Sequence, residues 1–394
     1  MRITFVAPRS WPSTGGAQSF LRHLSTALAR DHEVRILALS IGDEGSHRLW
    51  ESVLPPPGYA TFADAGVQIE HLALPLSRRA LLTPLVAQLV PGLRRYAFGR
   101  ARSVNMELYA RAVAPLISRQ ATGSDVLHMW GAGLLAAATS RAARQLGVPF
   151  VTTPFAHRGQ WADDPSSARV YREADCVFAL LEADAKLYRE LGARTVAVCG
   201  VCSDGVTPGL GNDLRRRHDI AGRLVLFLGR RQPYKGFELL LEAAHGVPDV
   251  TFAFVGPGPA AAAPHPGRVI DAGVVDDTER AAWLDAADIL CLPSEAEIFP
   301  SSMLEAWSVG TPALVSEIEP LLELVQTTGG GVAVPRDVDS ISSAIRDLCA
   351  EPARARALGA AGNDAWQRRF TPKQVASAYE RVYRELVPAE RIAA

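Results

Sequence analysis

Lysine, net charge and paired cysteine are all scarce in this chain, and the last two scarcities each remove a class of function. Three of the 41 basic residues are lysines (Lys186, Lys235 and Lys373) and the rest are arginines, a bias of the kind a GC-rich genome imposes. The formal net charge is −1, so bulk electrostatics leaves no footprint for nucleic acid. The five cysteines, Cys176, Cys199, Cys202, Cys291 and Cys349, are odd in number and dispersed, which argues against a disulfide framework and for a reducing compartment. Cys199-Gly-Val-Cys202 has the spacing of half a zinc site, yet no second pair completes it, so no metal is expected there. No stretch stays apolar for the length of a membrane-spanning helix. Met1 to Ala7 reads as a strand running straight into a loop, so no secretory leader is expected and the location is read as cytoplasmic.

What is present is a long alternation of strands and helices, and 394 residues suggest two domains rather than one. Ile3 to Ala7 is a short apolar run of the kind a buried parallel strand shows. A loop holding Gly15 and Gly16 follows, then a helix with apolar residues at Phe20, Leu21, Leu24 and Leu28. Strand, glycine loop and helix are the first unit of a doubly wound sheet. Paired glycines let backbone amides approach a phosphate or sugar closely, or simply make a turn; the G-x-G-x-x-G dinucleotide fingerprint is missing from this loop. Residues 41 to 70 read as loop-rich. From Arg78 to Arg119 the chain is basic, with Glu107 its sole acid. That stretch is either a contact to an anionic membrane surface or charged acceptor, or a helical hairpin with a solvated arginine face. A strand from Pro149 to Thr153 leads to His157, on the rim where parallel sheets bind ligands and suited to a sugar hydroxyl. His128, inside a strand, reads as a satisfied core or near-rim histidine. Gly200 to Gly211 reads as a linker.

Leu224 to Leu228 opens a second series. Its loop, Gly229 to Gly236, carries Arg230, Arg231 and Lys235 just ahead of a helix. Cations beside a helix N-terminus oppose the macrodipole, and such a conflict points to an anion site unless the side chains merely snorkel into solvent. Arg230 and Lys235 are the candidates for gripping a diphosphate. Gly273-Val274-Val275 lies where backbone groups could meet a nucleobase. Ile289 to Leu292 then runs into a polar loop with Glu295 and Glu297, and Glu305 follows one turn into the next helix. Ser294-x-x-Glu297 and Ser302-x-x-Glu305 both match a capping box, so Glu305 is either a cap partner or a ligand for ribose. On the second reading Glu297 grips a sugar, and the backbone of Phe299, Pro300, Ser301 and Ser302 meets hydroxyl and phosphate oxygens. The last helix, from Pro372, is amphipathic enough to pack across a domain boundary.

Taken in order, Gly15-Gly16 before a helix, His157 after a Thr-Pro turn, Gly229-Arg230 with Lys235-Gly236, Gly273-Val-Val, Glu297 and Glu305 separated by seven residues, and Gly310-Thr-Pro make a set. With that set the chain resembles the retaining glycosyltransferases of family four. The resemblance implies an α/β GT-B fold of two Rossmann-like domains facing across a cleft. Residues 1–205 would form the acceptor-side domain and 206–371 the nucleotide-sugar domain, with the helix 372–394 packing back onto the first. It implies that Arg230 and Lys235 neutralise the leaving diphosphate, Glu305 binds ribose, and Val274 and Val275 lie at the base. Glu297 and the amides around Phe299 to Ser301 would position the sugar, His157 would touch it from the acceptor side, and Gly16, with Gly15, would approach the diphosphate.

By the same resemblance the enzyme is a hexosyltransferase needing no metal and no cofactor beyond its co-substrate, a UDP- or GDP-sugar. Its acceptor would be a small molecule, a lipid-linked compound or a glycan; the composition of Arg78–Arg119 allows peripheral membrane contact, and the net charge points to no nucleic acid. Ala296 and Pro300 stand where the family commonly has glycine, and Cys199-Gly-Val-Cys202 replaces a usual Pro-Asn-Gly-Val. The alternatives are a GT-B hydrolase or epimerase acting on the nucleotide sugar, and a non-catalytic nucleotide-sugar-binding partner protein.

Overall fold

The computed structural model describes residues 1–12, 15–41, 61–72, 101–159, 161–261 and 268–392. The chain divides into two compact units, Met1–Gly200 with Val375–Ala394, and Val201–Gln374.

The first unit is built on an eight-stranded sheet of β1 (Arg2–Arg9), β2 (Glu33–Ser40), β3 (Thr61–Asp64), β4 (Val67–His71), β5 (Val126–Trp130), β6 (Phe150–Thr153), β7 (Cys176–Ala179) and β8 (Val196–Val198). Their order is β3-β4-β2-β1-β5-β6-β7-β8, parallel throughout except for the β3–β4 hairpin. Short runs such as Ile3-Thr-Phe-Val-Ala7 are buried on both faces, as a strand covered by helices on each side must be.

The hairpin corrects the reading of residues 41–70 as loop-rich. Its two-residue turn, Ala65-Gly66, takes positive φ at both positions (48° and 83°), the twist a tight hairpin needs. Alanine at the first of these hides the usual Asn-Gly or Asp-Gly signature. Strand β4 then pairs in parallel with β2 and buries Val67, Ile69 and His71 in alternation. Of the basic stretch Arg78–Arg119, residues 78–100 lie outside the described residues. The remainder falls in the helix Ala101–Gln120, where Glu107 accepts from Arg111 (3.0 Å) and Arg141 (2.9 Å). No helix among the described residues is long and apolar enough to cross a membrane.

His128 is wholly buried in β5, as its strand position suggested. Its Nδ1 lies 2.6 Å from the Tyr383 hydroxyl and its Nε2 2.9 Å from the Thr153 hydroxyl. Phe5 and Phe178 stack on the ring at 4.9 and 5.1 Å. Tyr383 comes from the last long helix, Pro372–Leu386, so this contact ties residues 375–394 into the first unit's core.

The second unit is a six-stranded, all-parallel sheet: β9 (Leu224–Leu228), β10 (Thr251–Val255), β11 (Arg268–Gly273), β12 (Ile289–Leu292), β13 (Ala313–Ser316) and β14 (Gly331–Val334). The order is β11-β10-β9-β12-β13-β14. The chain winds outward from β9 to one edge, then returns to β12 and winds to the other, which is the doubly wound arrangement of a Rossmann sheet.

Removing the Tyr383 hydroxyl (Tyr383→Phe) leaves a buried ring nitrogen of His128 without its partner and is expected to cost about 1–3 kcal/mol of stability. A urea titration that follows the first unit measures it. Burial also lowers the His128 pKa from 6.5 to about 3, so the unfolded chain binds a proton that the folded one refuses. The stability carried by the neutral ring is complete above about pH 6.5 and is lost as the pH falls toward 3. The urea midpoint is therefore expected to fall over that window more steeply in the wild type than in His128→Asn.

Candidate functional site

In an open parallel sheet, ligands bind beyond the carboxyl ends of the strands, where the winding reverses. In the second unit that point lies between β9 and its neighbour β12. The loop after β9 is Gly229–Gly236 and the loop after β12 is Pro293–Pro300, so the two stretches singled out in the sequence meet there.

They meet by direct contact. Lys235 Nζ donates to Glu297 Oε1 at 2.5 Å, and the buried Ser294 hydroxyl donates to the same oxygen at 2.9 Å. The Glu297 side chain is 8% exposed and that of Lys235 20%. The second carboxylate oxygen, Oε2, has no hydrogen-bond partner among the described residues. Backbone contacts fix the loops: Glu295 N–H donates to the Tyr234 carbonyl (2.7 Å) and Arg336 Nε to the Pro293 carbonyl (3.0 Å). Gly236 sits at φ 74°, and a Cβ there would come within 2.2 Å of the Pro293 carbonyl oxygen. Only glycine lets the loops approach this closely.

The three cations of the first loop have separate fates. Arg231, 3% exposed, turns inward and is bonded bidentately to Asp271 and to the carbonyls of Phe254 (2.8 Å) and Pro259 (2.9 Å). The hydrogen bonds from Arg231, outweighing the cost of burial, lower the Asp271 pKa to about 2. Arg231 is thus an internal brace between β10, β11 and the loop between them. Arg230 is exposed, and among the described residues its hydrogen bond is to the Tyr234 hydroxyl (3.3 Å).

The helix Ser301–Ser308 decides the capping question. Its N-cap is Pro300, and no side chain caps it, so neither Ser302 nor Glu305 serves a capping box. Glu305 instead makes an ion pair with Arg280 of the helix Asp277–Ala286. Ser294 and Glu297 do bond to each other, but within a loop and not at a helix start. Phe299 turns its ring toward Phe370 (centroids 5.8 Å apart), and the uncapped amides from Ser301 onward begin the helix beside it. Val274 follows β11 directly and is 75% exposed, an uncovered apolar side chain next to the half-buried Val275.

Arg280 and Arg336 had no part in the sequence reading of the site, and Ser294 entered it only through a capping-box spacing. Arg280 and Glu305 lie on separate helices, and no local pattern joins them. Ser294 did leave a signal, its S-x-x-E spacing to Glu297, but one that suggested a helix cap.

In the first unit, Gly15 (φ 149°, ψ 155°) precedes the helix Gly16–Leu28, and its carbonyl accepts from Ser19 N–H at 2.9 Å. Trp130 at the end of β5 donates to the Ala17 carbonyl (3.0 Å), which puts this glycine turn at that sheet's own reversal point, between β1 and β5. His157 lies beyond β6 in a two-residue bridge with Trp161, their backbone bonds 2.8 and 3.0 Å long. Among the described residues no group of three or more His, Cys, Asp or Glu side chains could hold a metal ion. Cys199 and Cys202 are free thiols, and burial pushes Cys199 up to about 12.

A family model described as "Glycosyl transferases group 1" matches residues 222–351, and one described as "Glycosyl transferase 4-like domain" matches residues 15–202. A phosphatidyl-myo-inositol mannosyltransferase of Mycobacterium leprae is 33% identical over 174 residues, covering 41% of this chain and 46% of its own. A D-inositol 3-phosphate glycosyltransferase of Xylanimonas cellulosilytica is 31% identical over 245 residues, covering 56% of this chain and 57% of its own. The chain spans about half the length of these curated relatives. Sucrose-phosphate synthase of Thermosynechococcus elongatus superposes with a TM-score of 0.72 at 19% identity, over 98% of each chain, and identifies the two parallel-sheet units as those of a GT-B fold.

Gly236→Ala is expected to force the two loops apart and to lower the thermal midpoint of the second unit. Gly209→Ala, also at positive φ (98°) but with open space around it, controls for backbone strain alone.

Proposed function

The chain belongs to the group 1 glycosyltransferases, the family four type, and from that premise we propose that it moves a sugar from a UDP- or GDP-linked donor to an acceptor hydroxyl with retention of configuration. The observation that carries this reading is the Lys235–Glu297 pair at the reversal point of the second sheet. A cation and an acid bonded to each other, each with capacity left over, suit a donor that brings both a diphosphate and sugar hydroxyls.

In this reading the glycosidic bond from the anomeric carbon to the β-phosphate oxygen breaks, and a bond from that carbon to the acceptor oxygen forms on the same face. The acceptor proton passes to a β-phosphate oxygen. Charge accumulates on the leaving diphosphate, and Lys235 and Arg230 would neutralise it, supplying what a divalent cation supplies elsewhere. Glu297, held by Ser294, would accept from a sugar hydroxyl through its open oxygen, with the amides after Pro300 alongside. Glu305 would take the ribose, and Val274 and Val275 the base. His157 and the Gly15–Gly16 turn are the proposed contacts from the first unit. The two named relatives both carry inositol compounds in their names, so an inositol-bearing acceptor is the first to try.

Lys235→Ala and Arg230→Ala are each expected to weaken nucleoside diphosphate binding about tenfold, the scale of a charge-assisted hydrogen bond. Calorimetry with UDP and GDP reads it, and unchanged affinity in both variants would sink the diphosphate assignment. Release of free sugar at an unchanged rate with and without acceptor would show a hydrolase instead.

A further inference from the structure

Glu305 is not alone in its corner of the site. Arg280 Nη1 bonds its Oε2, while Nη2 of the same guanidinium bonds Asp277 Oδ1 at 3.2 Å. The Arg280 side chain is 31% exposed and that of Glu305 15%. Burial acts to lower the Arg280 pKa, but the Glu305 and Asp277 carboxylates together outweigh it and the net shift is upward, so the guanidinium stays charged. Glu305 Oε1 has no hydrogen-bond partner among the described residues. The arrangement therefore occupies one carboxylate oxygen and leaves the other open.

A glutamate side chain has three rotatable bonds, and fixing it on a ligand costs entropy unless something else fixes it first. The planar fork of an arginine, anchored at its other end, does this better than a point charge. Asp277 begins the helix Asp277–Ala286, directly after the turn that carries Val274 and Val275. Arg280 thus connects the turn proposed for the base with the carboxylate proposed for the ribose.

We propose that Arg280 is a positioning residue for the nucleotide ribose: by holding Glu305 Oε2 it presents Oε1 to the ribose hydroxyls and sets the preference for ribo- over 2′-deoxyribonucleotides. This rests on the assignment of Glu305 to the ribose made above. Arg280 stays in place when the nucleotide binds, and the open oxygen of Glu305 completes its bonding on the ligand. The same contact acts on affinity rather than on the reacting carbon, so it weighs on donor KM and not on kcat.

The test is calorimetry with UDP, GDP and their 2′-deoxy counterparts on the full chain, for wild type, Arg280→Gln, Arg280→Lys, Glu305→Gln and the Glu305→Gln/Arg280→Gln double variant. Arg280→Gln is expected to weaken the better-binding ribonucleotide roughly tenfold and its deoxy form far less, collapsing the ratio between them. Arg280→Lys recovers part of that ratio. On the Glu305→Gln background Arg280→Gln adds nothing, because it acts through a carboxylate already removed. Donor KM rises while kcat holds. Equal loss for ribo and deoxy ligands, or an intact ratio in Arg280→Gln, overturns the proposal while leaving the ribose role of Glu305 standing. An unchanged ribonucleotide affinity in Glu305→Gln overturns that role itself, and the proposal with it.

Discussion

A lysine ammonium held 2.5 Å from a glutamate carboxylate is what the second unit's loops are arranged to maintain. Taking both charges partly out of water is costly, and the attraction between them offsets that cost only with good geometry and further hydrogen bonds. The geometry comes from below. Lys235 is carried by a loop pressed onto Pro293 through Gly236, and Glu297 is steadied by Ser294, whose own carbonyl accepts from Ser316 on β13. Every one of these partners sits at or beyond the carboxyl end of a strand. The sheet order therefore decides which side chains can be neighbours before any of them makes a bond.

The adjacent arginines of the same loop show how one sequence feature divides into two jobs. Arg231 is spent inside the fold on Asp271 and two carbonyls, while Arg230 remains outside. Counting cations in the loop overstates the charge offered to a ligand. Their difference lies in their surroundings and not in residue type: Arg231 is buried, and a Cβ on Gly258 would come within 2.9 Å of its carbonyl oxygen, while Arg230 is exposed.

Most of the architecture was legible because parallel strands buried on both faces read as apolar runs, and such runs at Leu224–Leu228, Ile289–Leu292 and Ala313–Ser316 space out a doubly wound sheet. The β3–β4 hairpin was not, because its strands are short, half exposed and joined by Ala65 where a stronger turn residue is usual. In the candidate site, Lys235 and Glu297 were named separately, on the charge conflict at a helix start and on a spacing motif. Their bond to each other was invisible, since they stand 62 positions apart in the sequence. Arg280 was missed for the same reason: a tertiary ion pair between two helices leaves no periodic trace. The capping-box pattern at Ser302–Glu305 pointed the opposite way, because Pro300 is the N-cap of that helix and Ser302 lies two positions beyond it.

The contact between His128 and Tyr383 spans 255 residues, and the entire second unit is threaded between its two halves. During synthesis the strands of the first unit emerge early, yet the aromatic helix that closes their core emerges only after the second unit is complete. The contacts within Val201–Gln374 are complete in that segment, whereas His128 and Phe178 of its host pack against Tyr379 and Tyr383 from the helix that follows it. The first unit, begun before the second, receives the helix that completes its core only after the second has been translated.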